Sequence, residues 1–153
     1  MHGLAMTYDQ IEKWDKSDEL YTKLIALNDR DAQAYNNFAY SLVERDEDLE
    51  YALTLAEKAI QISPDVSAYL DTIGWIYYKL SEFEKAKDFI AQALIYDDSS
   101  AVILEHYGDV LISVEEIDEA LIFYNKALLL DEDNEQLQTC LLYTSPSPRD
   151  DVI

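Results

Sequence analysis

Apolar residues recur along this chain at helical spacing, in paired stripes separated by short polar breaks. Tyr35, Phe38, Ala39 and Leu42 fall at i, i+3, i+4 and i+7, as do Leu70, Ile73, Gly74 and Tyr77, and Leu104, Tyr107, Gly108 and Leu111. Each set is one face of an amphipathic helix. After a polar break comes a second stripe: Ala52, Leu55, Ala56 and Ala59; Ala86, Phe89, Ile90 and Ala93; Ala120, Phe123, Tyr124 and Ala127. The pattern predicts helical hairpins throughout. Scarce Gly and Pro, with frequent Ala, Leu, Glu and Lys, favour the same reading.

The hairpins repeat. A shift of 34 residues carries Gly74 onto Gly108, Ala86 onto Ala120 and Ala93 onto Ala127, and one step earlier Ala52 onto Ala86 and Ala59 onto Ala93. Leu4, Ala5 and Tyr8 fall on Phe38, Ala39 and Leu42. Gly74 and Gly108 stand mid-helix, where Gly costs about 1 kcal/mol relative to Ala. That cost is tolerable where another backbone approaches closely, and Ala86 and Ala120 are the expected facing residues. Ser81 with Glu84 reads as a capping box for the second helix of its unit.

With Leu70-x-x-Ile73-Gly74-x-x-Tyr77, then Ala86-x-x-x-Ile90 and Ala93, residues 32–134 resemble tetratricopeptide repeats. Asp98 stands where that family usually has Pro, whereas the preceding unit keeps Pro64 and has an extra residue around Glu44–Asp48. The resemblance implies an all-α, right-handed superhelical solenoid of antiparallel helix pairs. The expected units are 1–31 (partial), 32–66, 67–100 and 101–134, with a further helix starting at 135–139. Segments such as Tyr69–Tyr78 also look like long bacterial repeat proteins.

Both ends invite comment. The register places Met1 inside a first helix, so the chain reads as a fragment, of bacterial and metagenomic character. The stretch Cys140-Leu-Leu-Tyr-Thr-Ser-Pro-Ser-Pro-Arg-Asp150 is similar, in one frame, to a translated sequencing adapter. Residues 140–153 are therefore expected to be a non-native tail, the other reading being a genuine Ser/Pro linker.

Charge sharpens the picture. The 153 residues carry 32 acidic and 11 basic side chains, a formal charge of −21. Only Arg149, Asp150 and Asp151 of the charged residues lie in the tail, so the acidity belongs to the repeats. Such a chain repels nucleic acid and anionic membrane, and no apolar run reaches the length of a membrane span. A single Cys excludes an internal disulfide. Compartment is left open between cytoplasm and periplasm, since an export signal would precede Met1.

Little here suggests catalysis. The His residues are His2 and His106, and no Ser-His-Asp set, His pair or phosphate loop assembles. Asp131–Glu135 begins like a calcium loop but lacks the turn Gly and the closing Glu. No metal or cofactor is expected. The resemblance instead implies a protein-interaction scaffold whose first helices line a concave groove. Candidate groove residues are Asn36, Asn37, Tyr40, Asp71, Trp75, Tyr78, Lys79, Glu105, His106 and Asp109, with Gln33, Val43, Ala68, Thr72, Val102 and Ser113 nearby.

Asn36, Asn37 and Asp71 suit a peptide backbone, and Tyr40, Trp75 and Tyr78 offer contact area. Packing of Trp75 and Tyr78 against the next unit is the other expectation for them. Family members that clamp a C-terminal carboxylate use several bases. Lys79 is the sole base on this face, so the expected ligand is a basic or aromatic–aliphatic peptide or protein. Self-association through uncapped ends is a further expectation. The alternative is the repeat arm of a larger glycosyltransferase or peptidase.

Overall fold

The structure is a computed structural model, and it describes residues 1–132 and 134–144. Four helical hairpins follow one another: α1 (His2–Gln10) with α2 (Trp14–Leu27), α3 (Ala32–Glu44) with α4 (Leu49–Ile62), α5 (Ser67–Lys79) with α6 (Phe83–Tyr96), and α7 (Ala101–Ser113) with α8 (Ile117–Leu130). A further helix, α9 (Glu135–Thr144), packs on α8. No strand is present among the described residues. The expected non-native tail lies outside the described residues from 145 onward.

Each hairpin turns in the same way. Glu12, Asp46, Ser81 and Glu115 have positive φ, between 51° and 64°. Each donates its N–H to a carbonyl three residues back, and the following residue donates five back, as in Glu116 N to Leu111 O at 2.9 Å. This pair of bonds is a Schellman stop, which satisfies carbonyls left open at the helix end. Ser81 is therefore the left-handed residue closing α5 and not an N-cap: α6 is entered through Glu82 with no side-chain cap. The extra residue of the second hairpin is absorbed by a second left-handed residue, Asp48 (φ 41°), whose carboxylate caps α4 at Tyr51 N.

Small residues set the spacing within hairpins. A Cβ on Gly74 would lie 2.5 Å from Ile90 Cγ1 and 3.3 Å from the Ala86 carbonyl oxygen, and one on Gly108 would enter the Tyr124 ring. Helix α5 serves two cores. Ile73, Trp75 and Ile76 join the core built with α1–α4, while Leu70 joins that of α6–α9. Consecutive first helices touch one another, α1 to α3, α3 to α5 and α5 to α7, whereas consecutive second helices make no comparable contact among the described residues. The first helices therefore lie on the inside of the curve, and their free faces form its concave side.

Candidate functional site

The concave face is built from α1, α3, α5 and α7. Near its middle a recess of ≈ 260 Å³ is lined by Asn36, Asn37 and Tyr40 of α3, Ala68, Asp71 and Thr72 of α5, and Ser100, Val102 and Ile103 at the start of α7. Four of the sequence-derived candidates thus meet in one place: Asn36, Asn37, Tyr40 and Asp71. Two polar atoms here are buried without a hydrogen-bond partner, Asn36 Oδ1 and Asn37 Nδ2. Asn36 is only 7 % exposed. Buried amide groups in native proteins are rarely left unpaired, and the desolvation penalty of such a group is about 1–3 kcal/mol.

The recess does not end at α3. A second recess (≈ 220 Å³), lined by Met6, Asp9, Gln10, Tyr21, Asn37 and Tyr40, shares Asn37 and Tyr40 with the first. A third (≈ 440 Å³) shares Asp9 and Gln10 with the second and adds Glu12, Trp14, Ser41, Glu44, Arg45 and Glu47. Together they form a trough running from the start of α7 to the end of α1. Asp9, Glu12, Glu44 and Glu47 make its far end acidic. Its one base there, Arg45, is held by Asp18 at 2.6 Å.

His106, Trp75, Tyr78 and Lys79 form a column that starts at Asp71. His106 Nδ1 lies 3.0 and 3.1 Å from the two carboxylate oxygens of Asp71, linking α7 to α5. The imidazole stacks on Trp75 (centroids 3.8 Å, 14° between planes), and Trp75 stacks on Tyr78 at 4.5 Å. Lys79 Nζ stands 5.5 Å from the Trp75 ring and 3.7 Å from Asp46 Oδ1. Trp75 and His106 are each 8 % exposed. Trp75 takes the packed arrangement that was the other expectation for it: an indole stacked on both sides has little surface left for a ligand, and His106 is turned to Asp71. Val43 is likewise core, with no exposure.

Electrostatics follow from this packing. Burial pulls the His106 pKa down, but the hydrogen bond and charge of Asp71, with Asp109 and Glu44, outweigh it and hold it above the ordinary histidine value. Burial raises Asp109 against the Tyr124 hydroxyl that donates to it at 2.5 Å, and burial with the Asp109 charge raises Glu105. Burial, Glu44 and Asp71 push Tyr40 up to about 12, so its hydroxyl stays neutral. No group of three or more His, Cys, Asp or Glu side chains suited to a metal occurs among the described residues.

The trough residues that sequence reasoning missed are Ser100 and Ile103 near the start of α7, Ser41 and Glu44 of α3 with Arg45 and Glu47 after it, and Met6, Asp9, Gln10, Glu12, Trp14 and Tyr21 of the first hairpin. A signal was present for α1, since the 34-residue shift places Met6 on Tyr40.

The signature of the tetratricopeptide repeat family matches residues 68–98 and 101–134. A thermophilic TPR protein from Thermus thermophilus superposes with a TM-score of 0.79 at 25% identity, covering 92% of this chain and 77% of that one. YrrB, a TPR protein with an unusual peptide-binding site, does so with a TM-score of 0.72 at 27% identity, over 84% of this chain and 68% of its own. The BBSome complex member BBS4 of Bos taurus is 25% identical over 123 residues, which is 80% of this chain. The chain spans about a fifth of the length of the curated relatives it matches, 23% and 19% for two of them. Residues 68–134 thus carry two matched tetratricopeptide repeats, and the helix-pair solenoid that contains them has the fold of TPR proteins.

Proposed function

We propose that the chain is a protein-interaction scaffold that holds an extended, basic polypeptide segment along the trough, with Asn36 and Asn37 gripping its backbone. The observation that carries this reading is that Asn36 and Asn37, each with one buried amide atom lacking a partner, stand together in the wall of the central recess. A side-chain amide offers an acceptor and a donor, which match the N–H and C=O that every peptide unit presents. The acidic end of the trough supports a cationic ligand, because carboxylates outnumber the single guanidinium, which already has a carboxylate partner. The similarity to YrrB, whose structure is described as having a peptide-binding site, points to the same class of ligand.

The test is fluorescence anisotropy with labelled octa-arginine and a labelled peptide ending in acidic residues. The basic peptide binds and the acidic one does not. Asn36→Ala and Asn37→Ala each weaken binding about tenfold or more, the loss of one well-placed buried hydrogen bond. Thermal stability should not fall with them, since each substitution removes an unsatisfied polar atom. Tighter binding of the acidic peptide overturns the reading.

A further inference from the structure

The Asp71–His106 pair joins the central recess to the interior. Asp71 lines the recess, and His106 stands behind it, holding both its oxygens through one ring nitrogen. We propose that His106 is a proton-controlled counter-ion to the groove's central carboxylate, so that the groove holds a cationic segment more tightly when His106 is neutral than when it is protonated. The proposal rests on the peptide-groove reading above.

Three features make this work. First, the geometry survives titration. With Nδ1–H donating to Asp71 in both states, the proton that comes and goes is the one on Nε2, so the hydrogen bond persists while the pair's net charge changes from zero to −1. Second, the change occurs in a poorly solvated place. His106 is buried, and the stacked Trp75 ring fills the space where water would otherwise screen the charge. Third, the pair bridges two helices that both line the recess, so the charge is presented where ligand must sit.

The groups around His106 decide the sign. Asp71 on α5, Glu44 on α3, and Asp109 and Glu105 on its own helix α7 all face it with negative charge, Asp109 being held by the Tyr124 hydroxyl of α8. Lys79 lies beyond Trp75. Removing the His106 proton therefore deepens a negative field already present. By linkage, a cationic ligand that prefers the neutral state drives the proton off as it binds.

The test uses the full chain and labelled octa-arginine at constant ionic strength, from about pH 5.5 to about pH 8.5, the range in which His titrates. Affinity should rise at least about fivefold across the His106 transition. His106→Gln should flatten that rise, while His2→Gln keeps it. NMR of the ring proton should show saturating peptide moving the His106 transition to lower pH. If His106→Gln does not fold, His106→Phe preserves the stacked ring, and the NMR experiment on the unaltered chain still decides. Binding with the same pH dependence in wild type and variant, or a transition that peptide does not move, overturns this proposal alone. Failure of octa-arginine to bind at any pH overturns the groove reading and this proposal with it.

Discussion

A methyl group on Gly108 would enter the space of the Tyr124 ring, which is buried and tied through its hydroxyl to Asp109. The ring cannot retreat without breaking that bond. Gly108→Ala is therefore expected to destabilise by about 2–3 kcal/mol, despite the better helix propensity of Ala, as overpacking of a rigid core does. At Gly74 the nearest atom is Cγ1 of Ile90, a fully buried β-branched side chain held to one χ1 rotamer in its helix, and the Ala86 carbonyl oxygen lies at 3.3 Å. Gly74→Ala should likewise lose about 1–3 kcal/mol. Urea melts of both variants check this, and a gain in stability in either would contradict it. The turns allow the opposite experiment. Ser81 and Glu115 sit in the left-handed region at φ 62° and 64°, which a side chain disfavours and Gly does not. Ser81→Gly and Glu115→Gly should each raise stability by about 0.5–1 kcal/mol, read from the same melts.

Among the helices, α9 has a role its short apolar pattern understates. Leu137 is fully buried and Leu141 packs partly against the core of α6–α8, so α9 covers the exposed flank of the last hairpin. Leu137→Ala should lose about 2–4 kcal/mol, the range for a buried leucine. Ending the chain at Asn134 should lower Tm and promote self-association, visible by light scattering. An unchanged melt with a monomeric profile would show that α8 needs no cover. Helix α5 stands at the centre of the array, giving Trp75 and Ile76 to one core and Leu70 to the other. The ion pairs Arg45–Asp18 at 2.6 Å, Lys79–Asp46 at 3.7 Å and Lys87–Glu116 at 2.7 Å each join neighbouring hairpins.

For the whole molecule, charge and fold meet in the pH dependence of stability. A group whose pKa is raised on folding holds its proton more tightly in the native state, so its contribution is present at low pH and is lost as pH rises through the folded value. His106 is such a group. Asp18, Glu105 and Asp109, raised mainly by burial, act in the same direction at lower pH. Asp97 and Glu116 are lowered, by Ser99 and Lys87 respectively, and act the other way once pH falls through their folded values. With a formal charge of −21 adding self-repulsion, Tm should rise as pH falls from about 8 to about 6. His106→Gln should remove part of that slope. A melting temperature that climbs toward pH 8 would contradict the account. Binding of a basic segment should weaken with added salt, since the trough's carboxylates are partly exposed and therefore screened.

Much of this protein was legible in its sequence because a repeat imposes the same local constraints several times. The 34-residue register, the apolar stripes and the mid-helix glycines each follow from packing one helix against the next, and a period repeated along the chain leaves few alternatives. Spacing set Asn36, Asn37, Tyr40 and Asp71 off the packing stripes of their helices, and the family resemblance implied that such positions on first helices face inward. The extra residue near Glu44–Asp48 was visible too, although the left-handed Asp46 and Asp48 that absorb it were not. Tertiary structure decided what one-dimensional spacing cannot carry. Groove-facing positions on adjacent first helices are near enough to bond one another, and so Trp75 and His106 became a buried stack on Asp71 while Asn36 and Asn37 kept unpaired atoms. Whether a polar side chain finds a partner depends on distances between helices, and those are set by the packing of all the hairpins together.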